Sequence, residues 1–376
     1  MGKYTLIDDE TLDAIIEKDM NTIVDQFQND FGENICSMVL IGGYGRGEGG
    51  VQIINDKNMP KNNYDILLVL NKAGLFSRKK IQKQLVSLKN KINQQQLLSN
   101  LLEVTFISKF QAKTVPSIMI YQDVYNSAKT IFGEKIQNIL PLRVRDPLPY
   151  IEALTIIRNR SMLLLSVLLN KSQEGYDGND GQQLKIWMAK VVIGFGDGIL
   201  IIKNNYVTGY YDKMVEVSKL DFSDIFDDPE DYQIFKKLHK EASEYRLFGN
   251  SFNLPEDKTK ILHILSMINL SIIKSIKHNQ FNSWDNLNKV SFSYSQSLKT
   301  KIKNIISNFK EYGFGQNFLR SHYGPCDRLY VALPPLLYED DVPYSSISRK
   351  VLSIDNKVDI NGAREECNRL FMKYLY

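Results

Sequence analysis

The chain has 376 residues, of which 43% are hydrophobic and 24% charged, a composition typical of globular proteins and a length that suits two domains. The net charge of +4 and the pI of about 8.6 fall short of the pI above about 9 typical of nucleic-acid-binding domains. Three scattered cysteines and four scattered histidines argue against a disulfide framework and a zinc site. We therefore expect a reduced, cytoplasmic protein, and its sequence predicts neither an export signal nor a membrane span.

The first part of the chain alternates between helical and strand patterns. Helical spacing of apolar residues begins at the acidic segment "DDETLD", and short apolar runs that follow predict buried strands. In chain order, we expect a helix over Asp8–Phe31, a strand in "ICSMVLIGG", a loop over Val51–Asn63, a strand over Tyr64–Leu70, a lysine-rich helix in "SRKKIQKQLVSLKNKINQQQLL" and a strand over Leu101–Ser108. These patterns predict an α/β domain over residues 1–145.

From about Pro147 the strand patterns nearly vanish and long apolar helices take their place. The segment "QLKIWMAKVVIGFGDGILIIKNN" has the pattern of a helix whose three glycines allow close packing. Residues 329–353 have an irregular pattern with several prolines, and a final helix is expected in "NGAREECNRLFMKYLY". We therefore predict a mostly α-helical domain over residues 146–376.

The glycine-rich stretch "LIGGYGRGEGGV" (Leu40–Val51) is the first candidate site, because glycine allows a backbone to approach a ligand closely. One interpretation is a dinucleotide-binding Rossmann fold: Gly45, Gly47 and Gly50 match GxGxxG, and Asp65 follows at about the expected distance. That fold needs a helix between the glycines and the next strand, whereas "VQIINDKNMPKNNY" is a poor helix former. Another interpretation is that the glycines only allow tight packing within the protein.

The order of these features supports another hypothesis. A strand leads into "GG" and "YGRGEG", "NYD" opens the next strand, and "EVTF" lies on a third. In this the chain resembles the polymerase-beta-like nucleotidyltransferase superfamily, over roughly residues 35–108. Members carry a glycine turn after the first strand, a D-x-D pair at the second and a third carboxylate on a later strand.

The resemblance implies a nucleotidyltransferase-type fold with a small mixed sheet, and a role for each matching residue. Gly42 and Gly43 would bind the triphosphate of an NTP, and Arg46 would pair with a phosphate. Asp65 and Glu103 would be catalytic, and with Asn63 they would hold Mg²⁺ or Mn²⁺. The expected activity is transfer of an NMP to a hydroxyl, phosphate or similar group of an unidentified acceptor. The modest charge favours a small molecule over a nucleic acid as that acceptor.

The sequence departs from the superfamily pattern at several positions. Asn63 stands where the first acid of D-x-D is expected, Gly43 replaces the usual serine, and Glu103 replaces the more usual aspartate. Asp56 is an alternative source of the missing carboxylate if the long loop folds back. The alternative functions are therefore a catalytically weakened nucleotide-binding pseudoenzyme with a regulatory or scaffold role, and an NAD(P)-binding Rossmann protein.

Weaker candidates lie in the second half of the chain. Lys185 and Lys190 are candidate phosphate ligands, Tyr206 a candidate base-stacking residue, and Asp197 a carboxylate that needs a partner in an apolar helix. For each, a structural role is the alternative. The basic, amphipathic segment "SLKTKIKNIISNFK" fits an RNA or membrane surface, or a solvated lysine-rich face.

Overall fold

A computed structural model describes residues 2–61, 63–74, 77–170, 179–252, 258–277, 284, 298–312, 324–338, 352, 354 and 358–375. The chain divides into two compact units. Unit 1 comprises Met1–Pro149, Asn204–Ser218 and Ser243–Ser251, and unit 2 comprises Tyr150–Lys203, Lys219–Ala242 and Phe252–Tyr376. Two segments beyond the predicted boundary near residue 145 thus cluster with the first unit.

Unit 1 is built on a mixed four-stranded sheet and a separate two-stranded hairpin. The strands are β1 (Ile35–Ile41), β2 (Val51–Ile54), β3 (Lys57–Pro60), β4 (Tyr64–Leu70), β5 (Leu102–Ser108) and β6 (Lys129–Gly133). In the larger sheet the order is β5-β4-β1-β6, with β4 and β5 parallel and the other pairs antiparallel. The predicted small mixed sheet is therefore confirmed.

Helices cover both faces of this sheet, because its central strands are apolar on both sides. The helices and helical turns of unit 1 before residue 150 are α1 (Glu10–Phe31), a 3₁₀ turn (Gly32–Asn34), α2 (Gly42–Arg46), α3 (Arg78–Gln94), α4 (Lys109–Ala112), α5 (Met119–Ser127), α6 (Ile136–Ile139) and a second 3₁₀ turn (Leu142–Arg145). Helices α1 and α3 pack on the face that carries Leu40, Ile66 and Leu68. The opposite face, with Leu67 and Val69, packs against residues of α5 and α6.

The predicted loop over Val51–Asn63 is wrong for most of its length, because β2 and β3 form a hairpin there. Asn55 and Asp56 form its two-residue turn with φ angles of 50° and 58°. Two central residues with positive φ match the twist of a hairpin, and Asn and Asp tolerate that conformation well. Asp56 therefore lies at the hairpin tip, four residue pairs from the base, and the structure gives no support for its replacing Asn63.

Helices make up the described part of unit 2, with no strand in it. In chain order the remaining helices are α7 (Tyr150–Asn170), α8 (Asn179–Ile202), α9 (Tyr210–Lys219), α10 (Pro229–Phe248), α11 (Lys258–Lys277), α12 (Leu298–Tyr312), α13 (Pro325–Leu337) and α14 (Ile360–Leu375). Most of α9 and the last residues of α10 belong to unit 1. The glycines of α8 allow close packing as predicted: a Cβ atom at Gly196 would lie 2.3 Å from Nε2 of the buried His239.

The predicted irregular segment 329–353 is wrong in its first part, where α13 is helical and contains Pro334 and Pro335. Prolines cost a helix hydrogen bonds, but burial of apolar side chains outweighs that loss here. Leu329, Leu333 and Leu336 are each at most 2% exposed. Most of residues 339–353 lie outside the described residues.

Within the described residues, one helix segment, Lys258–Ile276 of α11, is long and apolar enough to cross a membrane. Its apolar residues Ile264, Ile268 and Ile272 are fully buried, and α11 packs against α7 and α8. A single candidate of this kind is a weak indication of a membrane span, since a core helix of a water-soluble protein has the same properties.

Candidate active site

The glycine turn begins where β1 ends. Gly42 has a φ of +68°, a conformation that glycine adopts without the steric cost of a side chain. The short helix α2 starts at this residue and ends at Arg46, and its C-cap residue Gly47 is in the left-handed conformation. The Glu48 N–H closes the turn by donating to the Gly43 carbonyl over 2.8 Å. The predicted glycine turn after the first strand is thus present, and the positive φ of Gly42 sets the direction of its backbone.

Asp65 lies directly against this turn. It pairs with Ile41, the last residue of β1, across the antiparallel ladder. A Cβ atom added at Gly42 would lie only 2.6 Å from Asp65 Oδ2. Glycine is therefore the one residue type at position 42 that leaves the Asp65 carboxylate in place. The turn and the acid form a single local unit.

Glu103 is the neighbour of Asp65 on the next strand. The two residues are paired in the parallel ladder between β4 and β5, so their side chains leave the same face of the sheet. Leu67 and Ile107, further along the same strands, mark this as the face that packs against α5 and α6. Three adjacent strands thus bring together Gly42, Asp65 and Glu103, which are up to 61 positions apart in the sequence.

Glu103 already has a partner. Its Oε2 atom lies 3.0 Å from Lys89 Nζ of α3, and the Glu103 side chain is half exposed. An exposed ion pair of this kind contributes little to stability, so a bound cation can displace Lys89 at small cost.

The donor set fits one Mg²⁺ ion better than two. Asp65 and Glu103 are the two acids that strand pairing aligns on this face, and Mg²⁺ in proteins is commonly held by one or two carboxylates together with substrate phosphates. Asn63 is exposed and precedes β4, so strand alternation does not fix its side chain on the face of Asp65. Among the described residues, no cluster of three or more His, Cys, Asp or Glu side chains is arranged to hold a metal.

Arg46, the predicted phosphate ligand, is engaged inside unit 1. Its Nε donates to Glu48 Oε2 over 3.2 Å, and its guanidinium lies 5.1 Å from the ring centre of Tyr210. Burial opposes the charge on Arg46, but the nearby Tyr210, Glu48 and Asp123 raise its pKa above the usual value. The guanidinium therefore stabilises the fold around the turn, in a position where Glu48 competes with any phosphate for it.

Glu48, which sequence reasoning did not single out, connects the turn to α9. Its carboxylate accepts hydrogen bonds from the backbone N–H groups of Tyr210 (2.8 Å) and Tyr211 (2.9 Å). A carboxylate at a helix N-terminus satisfies free donors and interacts favourably with the helix dipole. The sequence feature that could have indicated this role is "RGE", because it places an acid two residues from an arginine inside a glycine-rich and therefore closely packed segment.

Two aromatic residues anchor the turn and the strand that carries Asp65. Tyr44 donates to the Gly50 carbonyl (2.8 Å), accepts from the Lys61 N–H (3.1 Å) and stacks edge-on against Tyr64. On the face opposite Asp65, the Tyr64 hydroxyl donates to the buried Asp19 over 2.9 Å. Burial raises the pKa of Tyr64, so this hydroxyl stays protonated as a donor. These contacts fix the backbone of β4 from the face of the sheet opposite the Asp65 side chain.

An open cavity of about 440 Å³ lies on the face of the sheet from which the two acids leave, and neither acid is among its lining residues. Leu67 and Thr105, each two residues after one of the acids on its strand, form part of its floor. Gln111, Tyr121 and Val124 from the covering segments form part of its wall. Its volume is within the range of small-molecule sites, and its lining is mainly apolar with a few polar groups.

The weaker candidates divide between the two units. The Tyr206 hydroxyl donates to Asp123 over 2.9 Å, and Lys213 Nζ lies 4.7 Å from the Tyr206 ring centre, so this ring has a structural role. Lys185, Lys190 and Asp197 belong to α8 in unit 2, where Asp197 is buried.

No protein-family model matches the chain, and comparisons with curated proteins and with solved structures also find no match.

Proposed function

We propose that the protein is a metal-dependent nucleotidyltransferase that moves an NMP from an NTP to an acceptor. The observation that carries this proposal is the meeting of Gly42, Asp65 and Glu103 at one end of three adjacent strands. The same three features were expected, in the same order along the chain, from the superfamily resemblance. A packing role explains the glycine, but it gives no reason for two acidic residues that are paired on neighbouring strands beside the turn.

The chain's own groups suit the parts of this reaction. In this proposal the backbone N–H groups of Gly42 and Gly43 donate to phosphate oxygens, and Asp65 and Glu103 hold the metal. When bound, Mg²⁺ or Mn²⁺ supplies the positive charge that neutralises the triphosphate. Glu103, the more exposed acid, either completes the metal site or accepts the proton of the acceptor hydroxyl. The adjacent cavity is of a size to hold a base or a small acceptor.

The test is calorimetric titration of Mg-NTPs into the full chain, together with pyrophosphate release in the presence of an acceptor panel. We expect Mg²⁺-dependent binding that weakens at least about tenfold in both Asp65→Asn and Glu103→Gln, because each removes a charged ligand. Asp56→Asn is the matched control, since it removes a carboxylate from the same unit at the tip of the hairpin. Absence of any NTP binding, or wild-type binding by Asp65→Asn, would refute the proposal.

A second function, the catalytically weakened pseudoenzyme, is favoured by a different observation. Asn63 cannot supply the charge of an acid, and only two carboxylates meet at the site within the described residues. This alternative predicts Mg-NTP binding without pyrophosphate release, and no gain of turnover in Asn63→Asp. The Rossmann alternative has no such support, because β1 is antiparallel to both its neighbours and a hairpin follows the glycines instead of a long helix.

A further inference from the structure

Helix α12 in unit 2 packs with its polar side inward. Asn308 is fully buried and accepts a hydrogen bond from Nε of the buried Arg328 on α13 over 3.2 Å. Glu311, whose side chain is 4% exposed, pairs with Arg369 (2.7 Å) and Lys373 (2.6 Å) on α14. These directional contacts from two neighbouring helices set the rotation of α12 about its axis.

As a consequence, the apolar side of α12 faces outward. Leu298 is 74% exposed, Ile302 49% and Ile306 50%, and Phe309 extends the same stripe at 42%. The spacing of four, four and three residues places these side chains on one side of a helix, over roughly 16 Å of its length. Surface helices of globular proteins normally show the reverse arrangement, with the apolar stripe toward the core. Contiguous exposed apolar surface of this kind is a mark of an interaction site.

Lysines border this stripe on both sides. Lys303 and Lys310 each follow a stripe residue by one position, and Lys301 precedes one, which places them about 100° to either side of it. Lys303 and Lys310 are exposed. The only acid of the helix, Glu311, is paired inside the unit, so the outward side of α12 is apolar at its centre and basic along its borders.

We propose that α12 is a surface-binding helix that attaches the protein peripherally to anionic lipid membranes. An apolar stripe bordered by lysines is complementary to the acyl boundary and the negatively charged headgroups of such a surface. The stripe lies along one helix and has lysines on both borders, the arrangement of helices that lie in a membrane interface. This proposal is independent of the nucleotidyltransferase site, which lies in unit 1.

The test is flotation of the full chain with vesicles of phosphatidylcholine and phosphatidylserine, compared with vesicles of phosphatidylcholine alone. We expect binding to the anionic vesicles that weakens at high salt, because salt screens the lysines. Ile302→Gln/Ile306→Gln should reduce binding at least about tenfold by removing two apolar side chains from the stripe. Lys303→Gln/Lys310→Gln should reduce the preference for phosphatidylserine at least about tenfold, since each lysine near an anionic surface contributes severalfold.

Matched controls separate this effect from general changes in apolar surface and charge. Ile53→Gln/Leu142→Gln replaces two exposed apolar residues of unit 1, and Lys79→Gln/Lys80→Gln removes two exposed lysines of α3. Both should bind as the wild type does, and circular dichroism should show unchanged helix content in every variant. No binding to anionic vesicles, or equal binding by the stripe variant, would overturn the proposal. Self-association or RNA binding that depends on the stripe, without vesicle binding, would overturn it in favour of that partner.

Discussion

Replacement of Gly42 by alanine tests the contact on which the candidate site depends. Two costs are expected: alanine in the left-handed region costs about 1–2 kcal/mol, and the new Cβ atom would lie 2.6 Å from Asp65 Oδ2. The carboxylate has to retreat by about 0.8 Å to reach the 3.4 Å of an ordinary contact. Because Asp65 has a short side chain that can rotate, we expect this second cost to be only about 0.5–1.5 kcal/mol.

Gly249→Ala is the matched control. Gly249 has a φ of +71°, and the atom nearest to an added Cβ, Lys61 Nζ, lies 3.8 Å away, so only the backbone cost applies there. The effect of alanine on the unfolded chain is the same at both positions and cancels in the comparison. Urea-dependent hydrogen exchange of the peptides containing β1 and β4 would measure the free energy of unfolding of unit 1 in both variants.

We expect Gly42→Ala to be less stable than Gly249→Ala by about 0.5–1.5 kcal/mol, and to bind Mg-NTPs at least about tenfold more weakly because Asp65 is displaced. Equal stability of the two variants would refute the close contact between Gly42 and Asp65. A stability difference with unchanged nucleotide binding would preserve the contact and refute the assignment of Asp65 to the metal.

Three further predictions follow from the surroundings of the site. Glu48→Ala should destabilise unit 1 by about 3 kcal/mol in the same exchange measurement, because Arg46, whose side chain is 14% exposed, loses its carboxylate partner. Arg46→Met/Glu48→Gln should cost less than Glu48→Ala. Lys89→Met should strengthen Mg²⁺ binding measured by calorimetry, because it releases Glu103, whereas the control Lys109→Met, which releases Glu134, should leave it unchanged. Burial and a hydrogen bond to Glu17 raise the pKa of Tyr4 to about 12, so the native state keeps a proton that the unfolded chain loses near pH 10. The contribution of protonated Tyr4 to the free energy of unfolding is present below pH 10 and is lost between about pH 10 and 12. Alkaline denaturation of Tyr4→Phe should therefore show a smaller loss of stability than the wild type over that interval. An identical loss in both proteins would contradict the raised pKa of Tyr4.

Local patterns predicted the elements that bury a continuous apolar face. The strand Tyr64–Leu70 has the predicted bounds, and the helix α1 begins within two residues of the predicted start. In both cases the apolar periodicity is complete within the segment itself, so no distant partner is needed to recognise it. The hairpin β2–β3 was missed because its polar strands are held by pairing with each other, and α13 because burial in unit 2 outweighs its two prolines.

The candidate site was likewise predicted in part from the sequence. The order of glycine turn, strand-opening acid and later acid is a property of the sequence, and it was enough to select Gly42, Asp65 and Glu103 as a group. The sequence also placed Arg46 with them on the basis of residue type alone. The structure shows that this arginine is engaged by Glu48 and Tyr210, residues whose positions relative to Arg46 depend on how α9 packs.

The sequence by itself therefore determined the residue types, their order and the elements that carry them, because these depend on interactions between near neighbours in the chain. Only the tertiary structure decided which side chains meet. The antiparallel pairing of Ile41 with Asp65 and the parallel pairing of Asp65 with Glu103 place the two acids beside the glycine turn. The inward hydrogen bonds of α12 turn its apolar stripe toward the exterior. Contacts between residues far apart in sequence set both features. The strand pairing aligns Asp65 with Glu103, and the polar contacts of α12 reverse the orientation that its apolar stripe alone would predict.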